Sequence, residues 1–187
     1  MPNKYAKEGA YVFDIDTCDE KVKMRKEITS CLICALYMMQ DASASSLESE
    51  TEIRHVIEQF RVSIINKDKA VFSSLFFNES IPFIAVFSEE MLARKRVENP
   101  KYPAAVDFSQ FGPPVKMLSG DEAEEEKIWN IKVQTDGHLA SVHFNYSDHV
   151  NARKRAWGTE SWSLIKVDSD WKITSVSFTV TEVEGEK

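Results

Sequence analysis

Glu160 is the residue of this sequence whose type and setting best suit proton transfer. It lies between Gly158 and Trp162 on the even-numbered face of an alternating stretch, Trp157 to Val167. A carboxylate held beside an indole loses water, its pKa rises, and it can then act as general base or acid near neutral pH. The structural alternative is a glutamate at the rim of a sheet, paired with an arginine or a backbone N–H. Tyr146 follows Phe144 on another apolar face and offers a phenol to a ligand carbonyl or oxyanion. It could equally be a core ring with its hydroxyl at the rim. Asp148 shares that parity, and either faces the same space or ends the hairpin in water.

Other chemistries find little support. The histidines are His55, His138, His143 and His149. His143 and His149 share a strand face, but six residues along a strand is roughly 20 Å, too far for one metal ion. No metal site and no cofactor are expected. Cys18, Cys31 and Cys34 all precede Ser45, so the rest of the chain has no disulfide and no thiol nucleophile. A Gly-rich phosphate loop, G-x-S-x-G and H-E-x-x-H are all missing. The net charge of −7 disfavours binding to phosphate backbones. The triplets Arg94-Lys95-Arg96 and Arg153-Lys154-Arg155 read as solvated tips that could steer an anion if they flank a pocket mouth. No aromatic residues are interleaved with them, and nucleic acid is not an expected partner. The acidic run Asp121 to Glu126 reads as a solvated turn or loop.

The elements that must position Glu160 and Tyr146 are strands. Ile128 to Thr135 places Trp129, Ile131 and Val133 on one face, and Asp136-Gly137 then predicts a two-residue hairpin turn. His138 to His149 alternates Ala140, Val142, Phe144 and Tyr146 against Ser141, His143, Asn145 and Ser147, so one side is covered. Val150 to Ala156 is a polar connection, and Asp168-Ser169-Asp170 turns into a last strand, Trp171 to Val180. Its parity changes between Ile173 and Val176, which predicts a bulge near Thr174-Ser175. Upstream, Ser49 and Glu52 form a capping box for an amphipathic helix over Glu50 to Ile65. Asp68 caps a second helix with Val71, Phe72, Leu75 and Phe76 on its apolar stripe. Ile81 to Phe87 is a strand that Pro82 starts or places at an edge. Ser88 starts a third helix, to about Val97. Prolines and Gly112 break Lys101 to Ser119 into a loop suited to a lid or rim.

Length and composition suit one core. The sequence divides into an N-terminal extension, 1–44, and a domain over 45–187. Met24-Arg25-Lys26, the apolar run Ile28 to Met39 and Ala42-Ser43-Ala44 form a secretory signal over 24–44 if translation starts at Met24. The mature protein would then begin near Ser45 outside the cytoplasm, periplasmic or secreted, and intact mass of protein from its source decides this. Otherwise the protein is cytoplasmic. The competing reading is an amphipathic N-terminal helix packed on the domain. The run is too short to span a membrane, so stable insertion is not expected.

Three motifs carry a family resemblance. Asp136-Gly137-His138-Leu139-Ala140-Ser141-Val142 resembles the "DGxxAxV" hairpin of the nuclear transport factor 2-like superfamily. Gly158-Thr159-Glu160-Ser161-Trp162-Ser163-Leu164 with Trp171-Lys172-Ile173 resembles its "GxExWxL … WKI" ending, and Phe72 to Phe77 resembles the "lF" that closes its second helix. The likeness covers about Ser49 to Thr181 and is greatest to exported bacterial members with polyketide cyclase-like or ketosteroid isomerase-like cones. It implies an α+β fold in which about three N-terminal helices cover the concave side of a curved antiparallel sheet. It also implies an apolar pocket at one end and, often, a homodimer through the outer sheet face. Here that face carries Ser141, His143, Asn145, Trp157 and Ile165. The residue set used by ketosteroid isomerases does not map onto matching positions, so the likeness to them stops at fold.

The expected pocket is lined by Phe60, Phe72, Phe76, Tyr146, Glu160, Trp162 and Phe178, with Glu160 and Tyr146 as candidate catalytic groups. Three functions remain open: binding a small, partly apolar molecule, acid–base chemistry of an isomerase, dehydratase or cyclase type in the same pocket, or protein interaction through the outer face.

Overall fold

The computed structural model describes residues 46–118 and 120–185. The signal peptide expected at 24–44 and the three cysteines lie outside the described residues. The first helix, α1, spans 46–66. It therefore begins before Ser49, which is buried within it, so the expected capping box does not form there. Glu52 instead turns across to the sheet, where its carboxylate accepts from Lys166 Nζ (2.7 Å) and Trp171 Nε1 (2.9 Å). Ile53, Val56, Ile57, Phe60 and Ile64 form the buried stripe that the spacing predicted.

Lys67 takes a left-handed conformation (φ 54°) and ends α1. Asp68 caps α2 (Lys69–Ser74), its side chain accepting from the Val71 N–H. The strand β1 (Phe83–Phe87) follows Pro82, and Ser88 caps α3 (Glu89–Glu98) by accepting from the Met91 N–H. Arg94 and Lys95 are not a solvated tip: within α3 they pair with Glu90, Glu182 and Glu184. A short strand β2 (Ala105–Asp107) and two 3₁₀ turns, Phe108–Phe111 and Pro114–Leu118, make up the proline-rich segment.

Four long strands complete the domain: β3 (Glu124–Thr135), β4 (Leu139–Val150), β5 (Arg153–Val167) and β6 (Asp170–Glu182). The sheet order is β2-β1-β6-β5-β4-β3. It is curved and unclosed, and it is mixed rather than wholly antiparallel, because β1 runs parallel to β6. Pro82 therefore marks the start of an interior strand. The expected bulge occurs: Ser163 faces Ser175 and Leu164 faces Ile173, leaving Thr174 over.

Several expectations are corrected in the hairpins. Asp136 keeps an ordinary φ and only Gly137 is positive (φ 93°). The Asp136 carboxylate closes the turn by accepting from the His138 and Leu139 N–H groups. The β4–β5 connection is not a long polar loop but two left-handed residues, Asn151 and Ala152. As a result Arg153-Lys154-Arg155 starts β5 rather than forming a tip. In β3 a register shift separates Trp129 from Lys132, with Asn130 at φ 56°. Trp129 therefore points out and is 43% exposed, while Ile128, Ile131 and Val133 lie against the core. Finally, Glu124, Glu125 and Glu126 are not loop; they begin β3.

Candidate functional site

The inner face of the sheet carries rows of side chains set by register. Glu126 stands opposite Asp148, Ile128 opposite Tyr146, and Phe144 opposite Glu160, which is in turn opposite Phe178. The helices cover the middle of this face. At one end they leave a half-open cavity of about 230 Å³. Its walls are Phe60 and Ile64 of α1, Phe72 of α2, Phe83 of β1, Met117 and Leu118, and Phe178 and Val180 of β6. Its polar lining is Glu124, Glu126, Asp148, Tyr146 and Glu160. Drug-sized sites enclose roughly 300–1,000 Å³, so this cavity suits something smaller, of the order of one ring with a short side chain.

Five of the seven expected lining residues meet there: Phe60, Phe72, Tyr146, Glu160 and Phe178. Phe76 and Trp162 do not. Both are buried behind the wall, Phe76 against Phe72 (5.1 Å between ring centres) and Trp162 against Phe60 (4.9 Å) and Phe144 (5.1 Å). The periodicity placed them on the correct faces but could not say how far along the face the cavity extends.

Glu160 is 4% exposed, and its Oε1 accepts from the Trp162 indole N–H at 2.5 Å. Its partner is thus a neighbouring indole, not the arginine or backbone N–H of the structural alternative. Burial pushes its carboxyl up to about 7, against the opposing pull of that hydrogen bond. Tyr146 does not present a free donor: its hydroxyl donates to the Thr179 carbonyl at 2.8 Å. Burial and then the nearby carboxylates, Glu160 first, push the phenol far above its usual range, so it remains protonated.

The sequence reading missed Glu126. Burial, then Glu160, then Asp148 hold its carboxyl well above the usual carboxylate range. Its Oε1 is closed off from solvent and has no hydrogen-bond partner. Asp148, raised by burial and by Glu124, also faces the cavity rather than water. Glu124 pairs with Lys67 at 2.5 Å. The signal lay in the spacing Glu124, Glu126, Ile128, which is the inward parity once the bulge at Asn130 is known. Chemically, the cavity offers a raised carboxyl for proton exchange and acceptors for a donor-bearing ligand, within an aromatic wall.

No protein-family model matches the chain, and no curated protein matches it. Solved structures do. A candidate scytalone dehydratase from Novosphingobium aromaticivorans DSM 12444 superposes with a TM-score of 0.55 at 13% identity, covering 78% of this chain and 93% of that one. An NTF2-like protein of unknown function from Pseudomonas putida KT2440 gives 0.53 at 11%, covering 76% and 94%. The hexachlorocyclohexane dehydrochlorinase LinA-type3 from Novosphingobium barchaimii LL02 gives 0.53 at 6%, covering 78% and 97%. At such identities the likeness is one of fold, and it agrees with the helix order, the curved sheet and the hairpin motifs: this chain has the nuclear transport factor 2-like cone fold.

Proposed function

We propose that this protein is an exported domain that binds a small, partly apolar molecule in the cavity between helices and sheet. The observation that carries this reading is the aromatic-walled cavity with Glu160 buried in its lining and Glu126 Oε1 closed off from solvent beside it. A packed core would not leave acid groups dry beside open space. The test is a titration of isotope-labelled protein with 2-phenylethanol, followed by NMR. Saturable shifts at Phe60, Tyr146 and Phe178 are expected. Ala156 of β5 also lines the cavity, and Ala156→Leu, which fills it from that side, should weaken binding at least tenfold, about 1.4 kcal/mol. Shifts scattered over the outer surface would end this reading.

Acid–base catalysis in the same pocket is the second reading, favoured by the Glu160 carboxyl at about 7. Two neighbours of the fold bear enzyme names, a dehydratase and a dehydrochlorinase. Under this reading Glu160→Gln removes turnover while leaving binding of a neutral ligand largely intact.

A homodimer through the outer sheet face is favoured by Trp129 and Trp157, which are 43% and 45% exposed there. Exposed indoles of this kind are enriched at interfaces. Sedimentation at micromolar concentration should give a dimer and Trp157→Lys a monomer; a wild-type monomer would refute it. No helix among the described residues is long and apolar enough to cross a membrane.

A further inference from the structure

Four carboxyl side chains line one small cavity: Glu124, Glu126, Asp148 and Glu160. Three have partners. Glu124 has Lys67, Glu160 has the Trp162 indole N–H, and Asp148 has the His149 backbone N–H with Arg155 nearby. Glu126 differs: its Oε1 is buried and receives no hydrogen bond. The remaining polar group of the wall, the Tyr146 hydroxyl, already donates to Thr179. Among the described residues the cavity lining includes no lysine or arginine.

We propose that the cavity takes a small organic ammonium, whose N–H groups donate to the Glu126 carboxylate and whose hydrocarbon part lies against Phe60, Phe72, Phe83 and Phe178. This rests on the pocket reading above and adds the charge of the ligand. An ammonium carries donors and no acceptor, which is the complement of carboxylates that only accept. Its charge is favoured by the acids and by the faces of the aromatic rings. An anion is opposed by each of these acids in its ionised form, and a neutral alcohol brings a single donor without charge.

The proposal has a signature in protons. Glu126 is raised by burial, Glu160 and Asp148, Asp148 by burial and Glu124, and Glu160 sits at about 7. A bound cation favours their ionised forms, so protons leave as it binds. Affinity therefore rises with pH through about 7, while an alkylammonium stays charged. Tyr146 in the wall, Lys67 at Glu124, Arg155 near Asp148 and His149 beside it are further charged or titratable groups around the cluster. The walls contributed by α1 and α2 are Phe60, Ile64 and Phe72, which do not titrate.

Calorimetric titration of the full chain with 2-phenylethylammonium, 2-phenylethanol and phenylacetate, at pH 6 and pH 8 in phosphate and in Tris, tests this. At pH 8 the ammonium should bind at least about tenfold more tightly than the alcohol. It should bind several-fold more weakly at pH 6, and the two buffers should report proton release. Glu126→Gln should weaken the ammonium about tenfold and leave the alcohol within about twofold, with a thermal melt checking that the variant folds. The wild-type pH and buffer series does not depend on that variant. Alcohol or phenylacetate binding as tightly as the ammonium, or proton uptake with the ammonium, overturns the proposal and leaves the pocket reading standing. Failure of all three probes to bind overturns both.

Discussion

Raising the pH from about 4.5 to 8 is expected to cost the native state on the order of 3 kcal/mol through Glu160. Its carboxyl titrates near 4.5 when exposed and near 7 in the fold. Below 4.5 both states hold the proton, and the native preference for it is fully present. Between 4.5 and 7 the unfolded chain ionises while the native state keeps its proton, so stability falls. Above 7 both are ionised and the contribution is gone. Glu126, raised by burial and by Glu160, acts in the same direction. Glu52 is held low by Lys166 and Trp171, so its contribution is lost on acidification, near and below 4.5, and is separable. Glu160→Gln preserves the acceptor for the Trp162 indole and removes the charge. Urea unfolding across this range should show the wild type weakening while the variant stays nearly level, with the two most alike near pH 4. A wild type that gains stability towards pH 8, or a variant with the same slope, would show that the Glu160 carboxyl is not dry.

Gly158→Ala is expected to destabilise the fold by about 3 kcal/mol or more. The reason is space, not positive φ. A Cβ built on Gly158 falls 1.9 Å from the Thr179 carbonyl oxygen and 2.8 Å from the Thr179 side-chain oxygen. Neither can withdraw cheaply. The carbonyl accepts from the Tyr146 hydroxyl, and Thr179 Oγ1 accepts from the Thr159 N–H at 3.0 Å. An added methyl must push β6 away from β5 beside the cavity. Tyr146→Phe, which only deletes the hydroxyl, should cost about 1 kcal/mol. Equilibrium unfolding of both variants tests the comparison. Gly158→Ala with near wild-type stability would mean that β6 does not approach β5 this closely.

Both expectations concern residues whose faces were readable in the sequence. Alternation in β4 and β5 places Tyr146 and Glu160 inward, because a strand with one covered side must alternate. Caps at Asp68 and Ser88 are local hydrogen bonds, and they form where the residue types put them. The parity change before Val176 revealed the Thr174 bulge because apolar residues flank it on both sides. The same logic misled at Asn130. Trp129 is apolar but faces outward, so the pattern Trp129, Ile131, Val133 concealed the bulge and reversed the face of every residue before it. Glu126 then reads as solvated, although its Oε1 is buried at the cavity.

What the sequence by itself determined is the cone fold, its helix and strand order, and the inward faces that carry Phe60, Phe72, Tyr146, Glu160 and Phe178. Tertiary structure alone decided where the cavity ends, with Phe76 and Trp162 packed behind it and Glu126 within it. The reason is that burial pattern is a property of one strand or helix. The extent of a cavity depends on how far the helices reach across the sheet, and the face of a strand beyond a bulge depends on the partner that sets its register.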